Sequence, residues 1–134
     1  MSNILAMPLV ELGVETSNTE DWIDSISYLV NTGATPPPQL DIRGIIFDME
    51  IRRSADEHEV LLSASTVNGT LQIGLPPDVG YLIFNIPATQ MGHMLAGSYV
   101  GDILGRDGTY TRLIATIALT IIDGVTREPV VAVV

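Results

Sequence analysis

Residues 95–102 read Leu-Ala-Gly-Ser-Tyr-Val-Gly-Asp, and the stretch continues through a turn at 106–108 and an alternating apolar run to Gly-Val-Thr-Arg at 124–127. Gly97 stands two residues before Tyr99 where this stretch enters a strand. This local pattern is typical of a tyrosine corner, in which the Tyr hydroxyl bonds backbone a few residues upstream and fixes a crossover in a β-sandwich. Gly97 and Tyr99 are therefore predicted to form a structural corner.

The composition narrows the possible classes of protein. The 134 residues fit a single domain, 1–134. The absence of cysteine excludes disulfides, thiolate nucleophiles and cysteine zinc sites. With 16 acidic residues, six arginines, no lysine and a net charge of −10, the chain would repel phosphates, so no nucleic-acid partner is expected. The longest apolar run, 113–122, is too short for a membrane-spanning helix, so no membrane partner is expected either.

Apolar residues repeat with a period of two along most of the chain, which predicts strands. The clearest example alternates Ile45, Phe47, Met49 and Ile51 with more polar positions. An earlier strand is expected to place Trp22, Ile26, Tyr28 and Val30 on one face. Three large aromatic residues should meet in the core, because burying them removes the most apolar surface from water. They are Trp22, Phe47 and Phe84.

Turn signals divide the strands, and the polar residues 17–20 are predicted to turn the chain after the first strand. Asn68-Gly69 predicts a type I′ hairpin between strands at 60–67 and 70–75. Residues 87–96 break the alternation, and Met91, Met94 and Leu95 recur at helical spacing, which predicts one short helical turn. The remaining predicted strands are 8–14, 81–86, 98–104 and 109–122.

Seven or eight short strands with almost no helix predict an all-β fold. The expected architecture is an immunoglobulin-like antiparallel β-sandwich with one short helical turn, and a small barrel is the alternative. Residues 8–127 form the predicted core and 128–134 an extended C-terminal tail.

No residues were found that predict a catalytic, cofactor or metal site. His58 lies among acidic neighbours at 56–59, but adjacent residues rarely converge on one ion, so a solvated turn is the interpretation. His93 has no acid or nucleophile at a useful spacing and is interpreted as a capping or partly buried histidine. Asp102 and Asp107 flank a turn without the dense ligand pattern of a calcium loop. The chain is therefore expected not to be an enzyme. A small hydrolase is the least favoured of the functional hypotheses.

The order of short motifs resembles a family of small immunoglobulin-like structural proteins of tailed phages and prophages of proteobacteria. The plan is similar to the N-terminal domain of phage baseplate upper proteins, and the likeness covers about residues 8–127. One departure is that family members often carry Tyr-Asp-Leu where this chain has Gly101-Asp102-Ile103. The motifs are a Trp-bearing strand, Arg43-Gly44, Asn68-Gly69, Ile-Pro-Ala at 86–88, Leu-x-Gly-x-Tyr-x-x-Asp at 95–102, an Asp-Gly turn, Thr-Arg-Leu at 111–113 and Gly-Val-Thr-Arg at 124–127.

The resemblance implies a non-enzymatic virion structural or assembly protein, a small adaptor in the tail, baseplate or neck. It would link neighbouring subunits or fibres, have other virion proteins as partners, form a homo-oligomer and reside in the virion after assembly in the host cytoplasm. The alternatives are a capsid decoration protein and a carbohydrate-binding module.

The C-terminal tail is the candidate partner-binding segment. A β-prone apolar segment with open backbone groups seeks a partner, and Pro129 cannot donate to a ladder, so pairing should begin beyond it. We expect the segment to add to a sheet edge of another subunit; the alternative is that it pairs back onto its own sandwich. The segment consists of Val130, Val131, Ala132, Val133 and Val134.

Overall fold

The structure is a computed structural model and describes residues 3–125. It contains eight strands, one 3-10 turn and one short helix. The 3-10 turn is Ile4–Ala6 and the helix α1 is Ala88–Met91. The strands are β1 (Val10–Ser17), β2 (Trp22–Ser27), β3 (Ile46–Arg52), β4 (Leu62–Ser65), β5 (Leu71–Ile73), β6 (Tyr81–Ile86), β7 (Gly97–Asp107) and β8 (Tyr110–Ile122).

The strands form two sheets with the order of an immunoglobulin sandwich. A five-stranded sheet runs β1-β8-β7-β3-β4 and a three-stranded sheet runs β2-β6-β5. Strands β3, β7 and β8 thus occupy the positions of immunoglobulin strands C, F and G, and β2, β6 and β5 those of B, E and D. The predicted all-β immunoglobulin-like sandwich with one short helical turn is confirmed.

One strand pairing differs from the expected antiparallel arrangement. Strand β1 pairs parallel with β8, in register from Val10 opposite Ala115 to Ser17 opposite Ile122. Parallel neighbours need a long connection, and here almost the whole domain lies between the two strands. Strand β1 therefore stands beside β8 rather than beside β2, where strand A of a constant-type immunoglobulin domain pairs.

The core lies between the sheets, and the alternation of β3 is confirmed. Phe47, Met49 and Ile51 are fully buried, whereas Ile46 and Glu50 face outward. The predicted aromatic cluster is also confirmed: the ring centroids of Trp22 and Phe84 lie 5.2 Å apart in an edge-to-face arrangement. All three large aromatic residues belong to one buried cluster.

The Asn68-Gly69 prediction was wrong. Strand β4 belongs to the five-stranded sheet and β5 to the three-stranded one, so this turn carries the chain between sheets instead of closing a hairpin. Type I′ geometry needs two positive φ angles, and only Gly69 has one, at 83°. The Asn68 side chain instead accepts hydrogen bonds from the amide and hydroxyl of Thr70, at 3.1 and 2.5 Å. This local bond favours an Asx-type turn.

Several predicted boundaries were also displaced. The first strand covers 10–17 instead of 8–14, and β7 extends to Asp107 through a register shift at Ile103/Leu104. Val30 is 36% exposed and does not share the core face of β2. The α1 turn is present with Met91 and Met94 buried, but Leu95 is 72% exposed. The predicted tail at 128–134 lies outside the described residues.

Candidate functional site

The tyrosine corner lies where the chain passes from β6 to β7 and so changes sheets. Tyr99 is buried, and its hydroxyl donates to the Leu95 carbonyl oxygen at 2.5 Å, four residues upstream. Arg53 Nη1 donates to the same hydroxyl at 3.2 Å. The predicted hydrogen bond is therefore present, and it holds the segment after α1 against the start of β7.

Two further features support the corner, and sequence reasoning missed one of them. Gly97 has a φ of 146°, which side-chain-bearing residues rarely adopt. The guanidinium carbon of Arg53 lies 5.4 Å from the centroid of the Tyr99 ring, within cation–π distance. No motif indicated Arg53, because its contact with Tyr99 spans 46 residues of sequence.

Replacing Tyr99 with Phe should lower the free energy of unfolding by about 1 kcal/mol, because the Leu95 carbonyl and the Arg53 donor lose a partner. This corresponds to a melting temperature lower by roughly 3–5 °C, measurable by calorimetry. Tyr110→Phe is the matched control: Tyr110 is 45% exposed and its hydroxyl bonds no group in residues 3–125. Equal melting temperatures for the two variants would contradict a stabilising corner.

Several motifs behind the phage resemblance have structural roles in this chain. Arg43 donates to both carboxylate oxygens of Asp41, at 2.9 and 2.6 Å, and this ion pair lowers the pKa of Asp41 to about 2. Gly44 follows with a φ of 87°, so the Arg-Gly pair forms a turn. Arg112 donates to the Leu5 carbonyl oxygen at 2.9 Å and thereby ties the N-terminal segment to β8.

The departure from the family pattern, at 101–103, lies in β7. A Cβ on Gly101 would lie 2.7 Å from the Glu50 carbonyl oxygen and would also overlap the Ile51 side chain, so the glycine makes room for β3. Asp102 stands directly opposite Glu50. Desolvation and the Glu50 charge raise the pKa of Asp102.

The outer face of the five-stranded sheet carries two shallow depressions of about 400 and 370 Å³. Glu50 and Asp102 line both, with Arg52 beside the second. Arg52 donates to Glu50 at 2.8 Å, so the pair is only partly neutralised. Two facing carboxylates destabilise a sheet locally, and nothing in their geometry defines a reaction.

No group of three or more metal-ligating side chains converges within residues 3–125. His58 and His93 are both exposed and lie in different loops. The capping or partly buried position predicted for His93 was thus wrong, because that loop turns its side chain outward. Within the same range, no helix has the length and apolar character needed to cross a membrane.

Asn18 holds the residues that follow β8 against the turn between β1 and β2. Its side-chain amide donates to the Met94 carbonyl at 3.0 Å and to the Asp123 carboxylate at 2.8 Å, and its oxygen accepts from the Gly124 amide at 3.0 Å. A Cβ on Gly124 would overlap the Thr19 side chain. We call Asn18, Thr19, Asp123 and Gly124 the exit clamp. The polar turn at 17–20 was predicted, but its long-range partners were not.

In the part of the chain that the structure describes, β2 forms an open edge of the three-stranded sheet. The Tyr28 amide donates to the Gly80 carbonyl, and the Asn85 amide donates to the Thr70 carbonyl. These two bonds show which residues of β2 direct their amide and carbonyl groups toward β6 and which direct them away from it. Trp22, Asp24 and Ile26 therefore direct their backbone groups toward β6, and the intervening residues direct theirs outward. Among residues 3–125, no strand pairs with this outward side. The outward residues are Ile23, Ser25 and Ser27.

The predicted partner-binding residues Val130, Val131, Ala132, Val133 and Val134 lie outside the described residues. Asp123 and Gly124 of the exit clamp precede them in the sequence. Comparison with known proteins adds no assignment: no protein-family model and no curated protein matches this sequence.

Proposed function

We propose that this chain is a non-enzymatic structural protein of a bacteriophage virion, a small adaptor that links neighbouring subunits or fibres in the tail, baseplate or neck. The exit clamp carries the proposal: Asn18 binds Asp123 and Gly124 and fixes the point from which the apolar segment continues. The resemblance of the sequence motifs to phage structural proteins supports a place in the virion.

The segment 130–134 is the proposed link. Four valines and one alanine follow Pro129, and such a run is suited to a strand covered on both faces. Left unpaired, it would be an aggregation hazard in a chain with open sheet edges. Strand addition to a neighbouring subunit satisfies its backbone groups and covers its side chains.

The aromatic residues argue against the carbohydrate-binding alternative. Sugar-binding surfaces need exposed aromatic faces, and five of the seven aromatic residues are buried. Of the others, Tyr81 is partly buried and Tyr110 is 45% exposed. The buried five are Trp22, Tyr28, Phe47, Phe84 and Tyr99.

The test is quantitative mass spectrometry of purified particles from cells that express the phage structural genes. We expect the full chain at a fixed stoichiometry in the tail fraction, and a chain truncated after Pro129 to fold but be lost from particles. A five-residue Gly-Ser replacement of 130–134 controls for length and should also be lost.

Enrichment in separated heads would favour the capsid decoration alternative. Absence of the full chain from particles would contradict the virion function. Normal incorporation of the truncated chain, or its failure to fold, would contradict the role of the segment.

A further inference from the structure

We infer that the open edge of β2 is the acceptor for segment 130–134 of a second copy of this chain. The inference rests on the proposed function, because it names the partner and the edge of the proposed link. Its first support is the position of β1, which pairs with β8 and leaves β2 without the neighbour that strand A provides in a constant-type immunoglobulin domain.

The β2 edge has the chemistry of a strand acceptor. Ile23, Ser25 and Ser27 direct their amides and carbonyls outward. The five-residue segment is nearly as long as β2, which has six residues. The Ile23 side chain is 68% exposed, so an added apolar strand would cover it. The Ser25 amide is bonded only to the adjacent Asp24 carboxylate, at 2.9 Å, a local bond that an incoming carbonyl can replace.

The other sheet edges are less suited to this role. Strand β1 places Glu11 and Glu15 on its exposed face, and charges of this kind protect an edge from pairing. On β4, the Ser65 amide already donates to the Thr70 hydroxyl at 2.9 Å. Strand β5 has only three residues. Strand β2 exposes one carboxylate, Asp24, against two on β1, and is thus the least protected edge among the described strands.

The exit clamp favours a second copy over the chain's own tail. Only residues 18–21 join β1 to β2, so the Asn18–Gly124 bond places the exit at the end of the sandwich where β2 begins. A segment from the same chain would have to run parallel to β2. A segment from a second copy can enter from the other end and pair antiparallel, which is more stable per residue. Reciprocal exchange between two copies gives a closed dimer with one interface type.

The experiment is sedimentation velocity of the full chain over a range of concentrations, with proline variants on two edges. The Ser25 amide faces outward, so Ser25→Pro preserves the β2–β6 ladder while blocking addition. Ser63→Pro is the matched control, because Ser63 is exposed and occupies the outward-facing position of β4. We expect a dimer for the full chain and Ser63→Pro, and a dissociation constant at least about tenfold weaker for Ser25→Pro.

Ile23→Lys is a second variant that leaves the backbone unchanged and should weaken the dimer in the same direction. A dimer that survives both Ser25→Pro and Ile23→Lys, yet is lost on truncation after Pro129, would overturn the β2 assignment without touching the proposed function. A full chain that is monomeric at all concentrations would overturn the inference, and a lower melting temperature on truncation would then indicate pairing with its own edge.

Discussion

Trp22→Ala is expected to lower the free energy of unfolding by about 3–5 kcal/mol. Trp22 is 2% exposed and packs edge-to-face on Phe84, itself 1% exposed, between the two sheets. Truncation removes the transfer free energy of the indole and leaves a cavity that the surrounding strands cannot close fully. Since domains of this size are stable by about 5–15 kcal/mol, the variant should be near the limit of folding.

Urea denaturation followed by far-UV circular dichroism measures this loss as a lower midpoint at constant slope. Trp22→Phe is the control: it keeps an aromatic ring against Phe84, and the indole N–H that it removes has no hydrogen-bond partner among residues 3–125. We expect it to cost less than half as much as alanine. Trp22 is the sole tryptophan, so a red-shifted, readily quenched emission in the native protein would contradict its burial.

Local periodicity was enough to predict much of the fold. The alternation in β3 identified its buried face because the side-chain direction of a strand repeats every two residues. The loss of the two-residue alternation at 87–96 identified α1, because helical spacing returns side chains to one face every three or four residues. Pro87 precedes the helix, and Met91 and Met94 are buried in the core. Gly97 and Tyr99 indicated the corner because both residues act within a few positions of each other.

Sheet membership could not be predicted in the same way. The Asn68-Gly69 pair is compatible with a hairpin or with a crossover, and long-range partners decide between them. Here the Thr70 carbonyl accepts from Asn85 on β6, which draws the chain into the other sheet. The parallel pairing of β1 with β8 likewise depends on contacts across about 100 residues and leaves no local signal.

The candidate site also has a part that the sequence predicted and a part that only the tertiary structure shows. Composition predicted an apolar segment at 130–134, but the exit clamp and the open β2 edge arise from tertiary structure. In the sequence, Asn18 is indistinguishable from an ordinary turn residue, yet its hydrogen-bond partners lie 76 to 106 residues away. Ser25 acquires its outward amide only from the register of β2 against β6.

The crossover between the sheets supplies the second large effect, expected for Thr70→Val. The Thr70 side chain is 8% exposed, and its hydroxyl accepts from the Ser65 amide at 2.9 Å while donating to Asn68 at 2.5 Å. Valine has nearly the same shape but no hydroxyl, so the half-buried Ser65 amide loses its partner. The expected loss is about 1–3 kcal/mol, which is the cost of an unsatisfied buried donor.

Two measurements separate this loss from a general surface effect. The urea midpoint should fall for Thr70→Val but not for Thr120→Val, since Thr120 is exposed on the outer face of β8. Amide hydrogen exchange should accelerate at Ser65, because its protection depends on the Thr70 hydroxyl rather than on a ladder partner. Unchanged exchange at Ser65 together with an unchanged midpoint would mean that the hydroxyl does not hold the two sheets together, and the Asn68-Gly69 crossover would then depend on the Thr70–Asn85 backbone bond alone.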